Sequence, residues 1–323
     1  MTGRRSVAVV ALLAAVLLTC SATLAWGRLG ISPPRQPQAL LDLLRGEGGF
    51  ALRRLRGPRL ATGLAVGAAL GLAGALFQRS TANPLVTPDV VGITAAAGAG
   101  TALATHLNFP VMVGALGGAL LGGLLVAWGT TTGFRNPGAV IVAGIGVAAG
   151  STATTQLVLV WSRQAEALAL ASALTGSLNS RAWSDAALAW AVLVPGTLAA
   201  LALRTDLDLV ALGDDAAHGL GSRPAAVRST ALALGIVLTA AAVAVAGPIT
   251  FVALTAPHLA RWLTGRPAMG TAALVGALEV CAADLAVARW QPLTALPVGV
   301  VTALVGGVFL GILLISQFRK GTL

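Results

Sequence analysis

The sequence predicts an all-α polytopic membrane protein with about ten transmembrane helices. Hydrophobic residues make up 56% of the 323 residues, charged residues make up only 10%, and the mean hydropathy is +0.86. Soluble domains carry about 25% charged residues. Charge-free runs long enough to cross a bilayer recur along the whole chain. Ten spans of about 20 residues occupy most of it, so we expect a single membrane domain over residues 1–323.

Two internal breaks divide the long apolar runs into individual spans. Asn108 and Pro110 interrupt one run, and the Gly247-Pro248 pair interrupts another. Glycine and proline punctuate helices because glycine permits unusual backbone angles and proline lacks the N–H donor. The predicted spans are residues 6–27, 60–78, 88–107, 110–132, 137–161, 186–203, 228–247, 248–263, 269–288 and 296–316.

A polar segment, LVALGDDAAHGLG at residues 209–221, lies between two membrane-grade apolar runs. As one continuous helix it would be amphipathic. Its apolar stripe would consist of Leu209, Leu212, Ala216 and Leu220. The opposite side would carry Asp214, Asp215 and His218. This pattern predicts a short helix, within a segment of residues 206–222, that lies on the membrane surface or docks in a groove of another protein. A solvated loop helix is the alternative.

The basic residues exclude several functions. The net charge is +10, and 20 of the 21 basic residues are arginines dispersed over the connections between spans, which argues against nucleic-acid binding. The only lysine, Lys320, does not follow a glycine-rich turn, so we expect no P-loop and no catalytic residue in this chain. Any ATP would then be used by a partner subunit. We also expect no bound cofactor and no metal site, since no His, Cys or Met pair has ligand spacing. Cys20 and Cys281 lie inside predicted spans, so no disulfide is expected.

The orientation follows from the ends of the chain. An even number of spans places both termini on one side, and the basic residues at 4–5 and 319–320 favour the cytoplasm. Segment 206–222 is then cytoplasmic as well. The arginines of the first external connection, residues 28–59, oppose this assignment unless they have a role outside the membrane. The N-terminal apolar run is longer than a signal-peptide core, so we expect an uncleaved first helix.

A weak internal repeat relates the two halves. GAALGLAG at 67–74 aligns with AAAVAVAG at 240–247, an offset of 173 residues. This alignment pairs the second span with the seventh, and an odd step between spans makes the halves inverted. Inverted repeats are a common plan of transporters, with the pathway between the halves.

Five stretches of the chain resemble the FecCD family, the permeases of type II ABC importers for iron–siderophores, haem and vitamin B12. They are RGPRLATGLAVGAALGLAGALFQRSTANPL (56–85), LTGSLNSRAWSD (174–185), LVALGDDAAHGLG (209–221), AGPITFVALTAPHLAR (246–261) and LPVGVVTALVGGVF (296–309). The chain departs from the family pattern in NPLVTP, where an acid is usual before the last proline and Asp89 follows instead. It also has Glu279 where the family is usually apolar. The resemblance implies a BtuC-like bundle in a bacterial plasma membrane.

The resemblance also implies partners and sites. Two copies, or one copy and a homologous permease, would line the pathway, with ABC ATPase subunits below and an extracytoplasmic substrate-binding protein above. The residues that would couple to the ATPase are Leu209, Leu212, Gly213, Asp214, Asp215, Ala216, His218, Leu220 and Gly221. The residues that would receive the binding protein are Arg56, Arg59 and Arg289, with membrane-interface anchoring as the alternative. Thr131 and Thr132 fall near the family's inner gate.

Two hypotheses remain for the energy source. The first is an ATP-driven importer of a metal chelate, which the polar segment favours. The second is a proton-coupled secondary transporter that uses Glu279 and Asp284. These two acids lie about 140° apart on a helix, so they do not form one site. We expect Asp284 to have a structural role, either in an ion pair or at a helix end, and His258 to be packed and hydrogen-bonded.

Overall fold

The computed structural model describes residues 2–26, 30–130, 137–162, 170, 174–294 and 296–319, and within them the fold is all-helical. The α-helices of this part of the chain are α1 Thr2–Ala25, α2 Gln36–Leu44, α3 Gly57–Ser80, α4 Ile93–His106, α5 Val111–Gly129, α6 Pro137–Trp161, α7 Trp183–Ala202, α8 Arg204–Val210, α9 Asp214–Gly219, α10 Pro224–Ala246, α11 Val252–Thr264, α12 Met269–Arg289 and α13 Val298–Arg319.

Ten of these helices overlap the predicted spans, and seven of the ten are long and apolar enough to cross a membrane alone. The seven are α1, α3, α5, α6, α7, α10 and α12. Helices α4 and α11 have only 14 and 13 residues. At 1.5 Å per residue each covers roughly 20 Å, less than the hydrocarbon core of about 30 Å. The third remaining helix, α13, has a shorter apolar stretch, Val298–Leu313. The count of ten spans is therefore approximate.

Helices α3 and α10 form the centre of the bundle. In the most apolar stretch of each helix, 78% of the residues of α3 and 67% of those of α10 are buried, against 11% in α1 and in α6. Helix α3 packs closely on α12, where the backbone of Gly67 meets the backbone of Gly276. Small residues at such crossings let two helix backbones approach, which is how membrane helices gain van der Waals contact.

The central helices run in opposite directions. Helix α3 begins where Arg56 binds the last carbonyls of α1, and it ends where the Ser80 carbonyl accepts a bond from Arg228 near the start of α10. Each is followed by a short helix whose first turn is preceded by a left-handed residue, Gly92 before α4 and Phe251 before α11. This antiparallel arrangement is the one an inverted repeat requires.

The offset of 173 residues is nevertheless wrong for the structural repeat. It would place the end of α3, residue 80, at residue 253 inside α11, whereas α10 ends at Ala246. Matches between alanines and glycines are frequent in a chain of this composition, so they do not fix the register of two repeats.

The connection before α3 contains a helix that the sequence analysis did not predict. Helix α2 exposes Leu40, Leu41 and Leu44, while Gln36 at its start is buried and donates to the carbonyls of Ser21 and Ile31. A short helix with exposed leucines is typical of the membrane interface. The cluster of leucines after Pro37 was the available signal.

Candidate functional sites at the two ends of the bundle

The bundle has two ends with different chemistry. We call the end that carries Arg56, Arg59 and Arg289 the arginine end. The opposite end carries helices α8 and α9, and we call it the α8–α9 end. Helix α3 connects them, since its first turn lies at the arginine end and its last turn lies beside α8. The candidate coupling residues lie at the α8–α9 end, and the candidate docking residues lie at the arginine end.

The polar segment forms two helices and not one. Helix α8 ends at Val210 and α9 begins at Asp214, with Gly213 between them at φ +103°. Residues other than glycine rarely adopt this backbone conformation, and a continuous helix cannot include it. The single helix predicted over residues 209–221 is therefore wrong, and Gly213 is the reason.

The segment buries one set of apolar side chains and exposes another. Leu207, Val210 and Ala217 are buried against the bundle. Leu212 and Leu220, from the predicted stripe, are 66% and 62% exposed. Ala216 is also exposed and Leu209 is half-buried. The stripe thus faces away from this chain, which leaves large apolar side chains uncovered in a polar region.

Arg228 of α10 holds the start of α9 in place. Its Nη1 and Nη2 donate to the two carboxylate oxygens of Asp214 at 2.8 and 2.6 Å, and its Nε donates to the Ser80 carbonyl at 3.1 Å. The guanidinium donors lower the pKa of Asp214 below its ordinary value. The carboxylate of Asp214 is therefore paired within this chain, although Asp214 is exposed, as is Asp215 beside it.

Two further side-chain contacts tie down α8 and the turn after α9. Arg79 at the end of α3 forms an ion pair with Asp208, and the Ser222 hydroxyl donates to Asp206 at 3.1 Å. Together with Arg228 they fix the segment to the last turn of α3 and the first turns of α10. The sequence pattern singled out Asp214 and Asp215 but not Asp206, Asp208 or their partners.

At the arginine end, Arg59 and Asp284 form a buried ion pair. Arg59 Nε lies 3.0 and 2.9 Å from the two carboxylate oxygens and Nη2 lies 2.7 Å from Oδ1. The Asp284 side chain is only 5% exposed. Of the two structural roles expected for Asp284, the ion pair is present, and its partner is one of the predicted docking arginines. Arg59 is therefore committed to joining α3 and α12.

Arg56 and Arg289 bind the end of α1. Arg56 Nη1 donates to the carbonyls of Thr23 and Leu24 at 3.2 and 2.5 Å, and Arg289 donates to the carbonyl of Trp26. The last carbonyls of a helix have no partner within it, so such donors stabilise the end. The three predicted docking arginines do lie together, but each has an internal partner. Residues 53–54, two further arginines, remain exposed.

The two intramembrane acids belong to different cavities. Glu279 accepts a hydrogen bond from Thr255 at 2.7 Å in a cavity between α11, α12 and α13, whereas Asp284 lines a cavity at the arginine end. His258 is packed as expected, with Nδ1 2.9 Å from the Leu254 carbonyl oxygen and the ring edge-on to Phe309. Over the described residues, no three His, Cys, Asp or Glu side chains gather as a metal site. Thr131 and Thr132 lie outside the described residues.

Asp89 joins the two short helices in the interior. Its Oδ1 accepts the Thr94 hydroxyl of α4 at 2.5 Å, and its Oδ2 accepts the backbone N–H of Phe251, which precedes α11, at 3.0 Å. The sequence analysis noted Asp89 only as a departure from the family pattern. No periodicity could connect it to residue 251, because 162 positions separate them.

A model of the FecCD transport family matches residues 6–316. The chain belongs to this family. It is 39% identical to the ferric enterobactin transport system permease protein of Escherichia coli (strain K12) over 275 residues, which cover 81% of this chain and 82% of that protein. It is 32% identical to the Fe(3+)-citrate import system permease protein of Bacillus subtilis (strain 168) over 329 residues, or 98% and 97% of the two chains.

Among solved structures, a metal-chelate type ABC transporter in an inward-facing conformation superimposes with a TM-score of 0.83 at 25% identity, covering 96% of this chain and 99% of that one. This FecCD protein is accordingly a multi-pass membrane protein and a permease subunit of an ABC importer. Proteins of this kind work with ATPase and substrate-binding subunits.

Proposed function

We propose that this permease imports a ferric chelate, such as an iron–siderophore, and is driven by a separate ABC ATPase that docks on α8 and α9. The cargo is inferred from the ferric enterobactin and Fe(3+)-citrate permeases to which the chain is similar. The exposed leucines of the α8–α9 end carry the coupling role. Iron would cross inside its chelator, as it does in the cargo of the ferric enterobactin permease to which the chain is similar.

The geometry of the α8–α9 end suits a mechanical coupling element. Leu212 and Leu220 offer the apolar anchors that a partner groove would bury. The Arg228–Asp214 and Arg79–Asp208 pairs tie the segment to the central helices α10 and α3. A partner that moves the segment would therefore move the bundle core with it, as in rigid-body switching. The nucleotide site lies on that partner, and this chain serves as a conduit.

The remaining assignments follow from this one. The α8–α9 end and both termini are cytoplasmic, and the arginine end faces the substrate-binding protein. Arg56, Arg59 and Arg289 shape that face by holding α1, α3 and α12, while the exposed arginines at 53–54 meet acids of the binding protein. Rim charges of this kind steer association and lose effect at high salt. A second copy or a homologous permease completes the pathway.

Cross-linking from a single cysteine tests the coupling assignment. Cys20 and Cys281 are replaced by alanine, and the exposed Ala216 is changed to cysteine in native membranes. The matched control is Gln38→Cys, exposed at the arginine end. We expect an ABC ATPase adduct from position 216 and none from position 38. A folded protein with a reactive cysteine at 216 and no ATPase adduct would overturn the coupling role.

Uptake tests the cargo and the energy source together. Cells that lack their own permease receive this chain with its partner subunits and are supplied with radioactive iron on a siderophore, or with labelled cobalamin. We expect uptake of the iron chelate alone. Glu279→Gln should leave that uptake intact, since only the proton-coupled alternative needs a titrating acid there. Loss of uptake in a folded Glu279→Gln protein would favour that alternative.

A further inference from the structure

A cavity of about 300 Å³ lies between the end of α3, α8 and the end of α11. Its polar lining comes from Gln78, Arg79, Asp208 and Arg261, and its apolar lining includes Pro257 and Ala268. It is separate from the exposed leucines, and no role described above uses it. The question is which ligand its chemistry fits.

The cavity carries an excess of positive charge. Arg79 is paired with Asp208, but Arg204 at the start of α8 is close enough to repel Arg79 electrostatically. Among the described residues, Arg261 forms no ion pair with a carboxylate. The cavity lining therefore holds two arginines, Arg79 and Arg261, against the single carboxylate of Asp208, with Arg204 nearby, so an anion is favoured.

Arg261 keeps most of its donors free. A guanidinium has five N–H donors, and the hydrogen bond found for Arg261 in the described structure is a long one, 3.4 Å from Nη2 to Gln78 Oε1. The planar guanidinium matches the geometry of phosphate oxygens and binds them in pairs. Gln78 adds a side-chain amide to the same wall. A phosphate group is the anion that this donor set fits.

The position of the cavity identifies the source of the phosphate. It lies at the ends of α3 and α11, where membrane-spanning helices reach the headgroup region. Trp262, next to Arg261, is 80% exposed, and tryptophan is enriched at the membrane–water interface. Basic pockets between transmembrane helices at this depth bind anionic lipid headgroups.

We propose that this cavity binds the phosphate of an anionic phospholipid headgroup, with Arg261 as its main ligand. Asp208 and Ala211 of the α8–α9 end also line the cavity, so the bound headgroup touches the segment proposed to couple to the ATPase. Lipid binding itself does not depend on that coupling role.

Native mass spectrometry of the full chain, purified in detergent with any accompanying subunit, tests the proposal. Phosphatidylglycerol is titrated against phosphatidylcholine as the zwitterionic reference. We expect preference for phosphatidylglycerol, and Arg261→Gln should weaken its binding about fivefold, since one arginine near anionic lipid contributes about 1 kcal/mol. The matched control is Arg266→Gln, an exposed arginine two residues beyond α11 that does not line the cavity. It should bind as the unmodified protein does.

A second variant guards against misfolding of the first. Ala268→Glu places a carboxylate on the cavity wall just before α12, where an acid suits the helix N-terminus, and it should also weaken binding. The site would be overturned if Arg261→Gln bound phosphatidylglycerol as well as the unmodified protein does. It would also be overturned if Arg261→Gln and Arg266→Gln lost binding to the same extent. Two other results would overturn the lipid source. Stronger binding of inorganic phosphate than of the lipid would assign a free anion, and displacement by the ATPase subunit would assign that protein.

Discussion

Both ends of the bundle contain arginine–aspartate ion pairs, but the pairs at the two ends have different roles. At the arginine end, Arg59 and Asp284 are closed inside the helix packing, and the acid is 5% exposed. At the α8–α9 end the arginine side chains are even less exposed than that of Arg59, but Asp208 and Asp214 are 63% and 52% exposed. The first kind of pair joins transmembrane helices to each other. The second kind holds a surface segment ready for contact.

The difference shows how burial changes what a charge contributes. Burying an ion pair costs desolvation free energy. Removing one partner alone is strongly destabilising, because it leaves an uncompensated charge in the interior. An exposed pair contributes little stability, because water and salt screen it. Changes at the arginine end should therefore affect folding, whereas changes at the α8–α9 end should affect function with the fold intact.

The largest effect is expected from Asp284→Asn. Loss of the carboxylate leaves Arg59 charged and without its partner, which should lower the free energy of unfolding by about 3–5 kcal/mol. Unfolding in mixed micelles followed by circular dichroism measures it. Asp214→Asn, at the exposed pair, should cost about 0–1 kcal/mol.

A double variant separates the pair from its parts. Arg59→Met with Asp284→Leu removes both charges and should recover most of the stability lost in Asp284→Asn. If Asp284→Asn and Asp214→Asn cost the same, the contrast between the two ends is wrong.

Leu212→Asp should disrupt ATPase binding without unfolding the permease. A buried anchor of this kind contributes about 2 kcal/mol or more to an interface, so the affinity for the ATPase should fall about thirtyfold. The matched control is Thr205→Asp, an exposed position of α8 outside the apolar stripe. Co-purification and surface plasmon resonance measure the affinity. Equal losses from both variants would show that added charge alone disrupts binding.

The bundle between the two ends should be intolerant of one added methyl group. A Cβ at Gly67 would overlap the carbonyl of Gly276 and lie 2.8 Å from Ala277 Cα. Gly67→Ala should therefore cost about 1–3 kcal/mol of stability. Gly117→Ala in α5 has open space around its Cβ, so it should be neutral or stabilising by up to about 1 kcal/mol. Thermal unfolding of both variants measures the contrast, and similar midpoints would refute the close packing.

The smallest effect concerns acid. The pKa of Asp214 is lowered by the Arg228 donors, so the contribution of the pair is fully present above the unfolded value of about 3.9. It is lost as the pH falls through the lower folded value. A nitroxide on Ala216→Cys should stay immobilised from pH 8 to pH 5 and become mobile only in stronger acid. In Asp214→Asn it should be mobile throughout. A transition near pH 6 would contradict the assignment.

The sequence predicted the helical class and the approximate spans because a bilayer imposes strict length and polarity on each of them. Asn108, Pro110 and the Gly247-Pro248 pair marked real helix boundaries, since α4 and α5 meet at the first break and α10 ends at the second. The prediction from the sequence failed at Gly213, where hydrophobic periodicity continues across a break between two helices. Periodicity records which side chains are apolar and not the sign of φ.

The partners of the charged residues were also beyond the sequence. Arg59 and Asp284 are 225 positions apart, and Arg79 and Asp208 are 129 apart. Their pairing depends on how α3 packs against α12 and α8, which a single sequence does not encode in any local pattern. For this reason the sequence pointed to an external partner for Arg56, Arg59 and Arg289 and gave no sign of their contacts inside the bundle.

The bond between Asp89 and Phe251 has a consequence for the order of assembly. A ribosome adds about 5–20 residues per second, so the 162 residues between the two partners take roughly 10 to 30 s to synthesise. Until residue 251 has been added, the carboxylate of Asp89 lacks the backbone donor that the second half of the chain supplies. The polar contact that joins α4 to the start of α11 therefore cannot close until the second half of the chain has been made, and a shorter chain keeps an open polar centre until then.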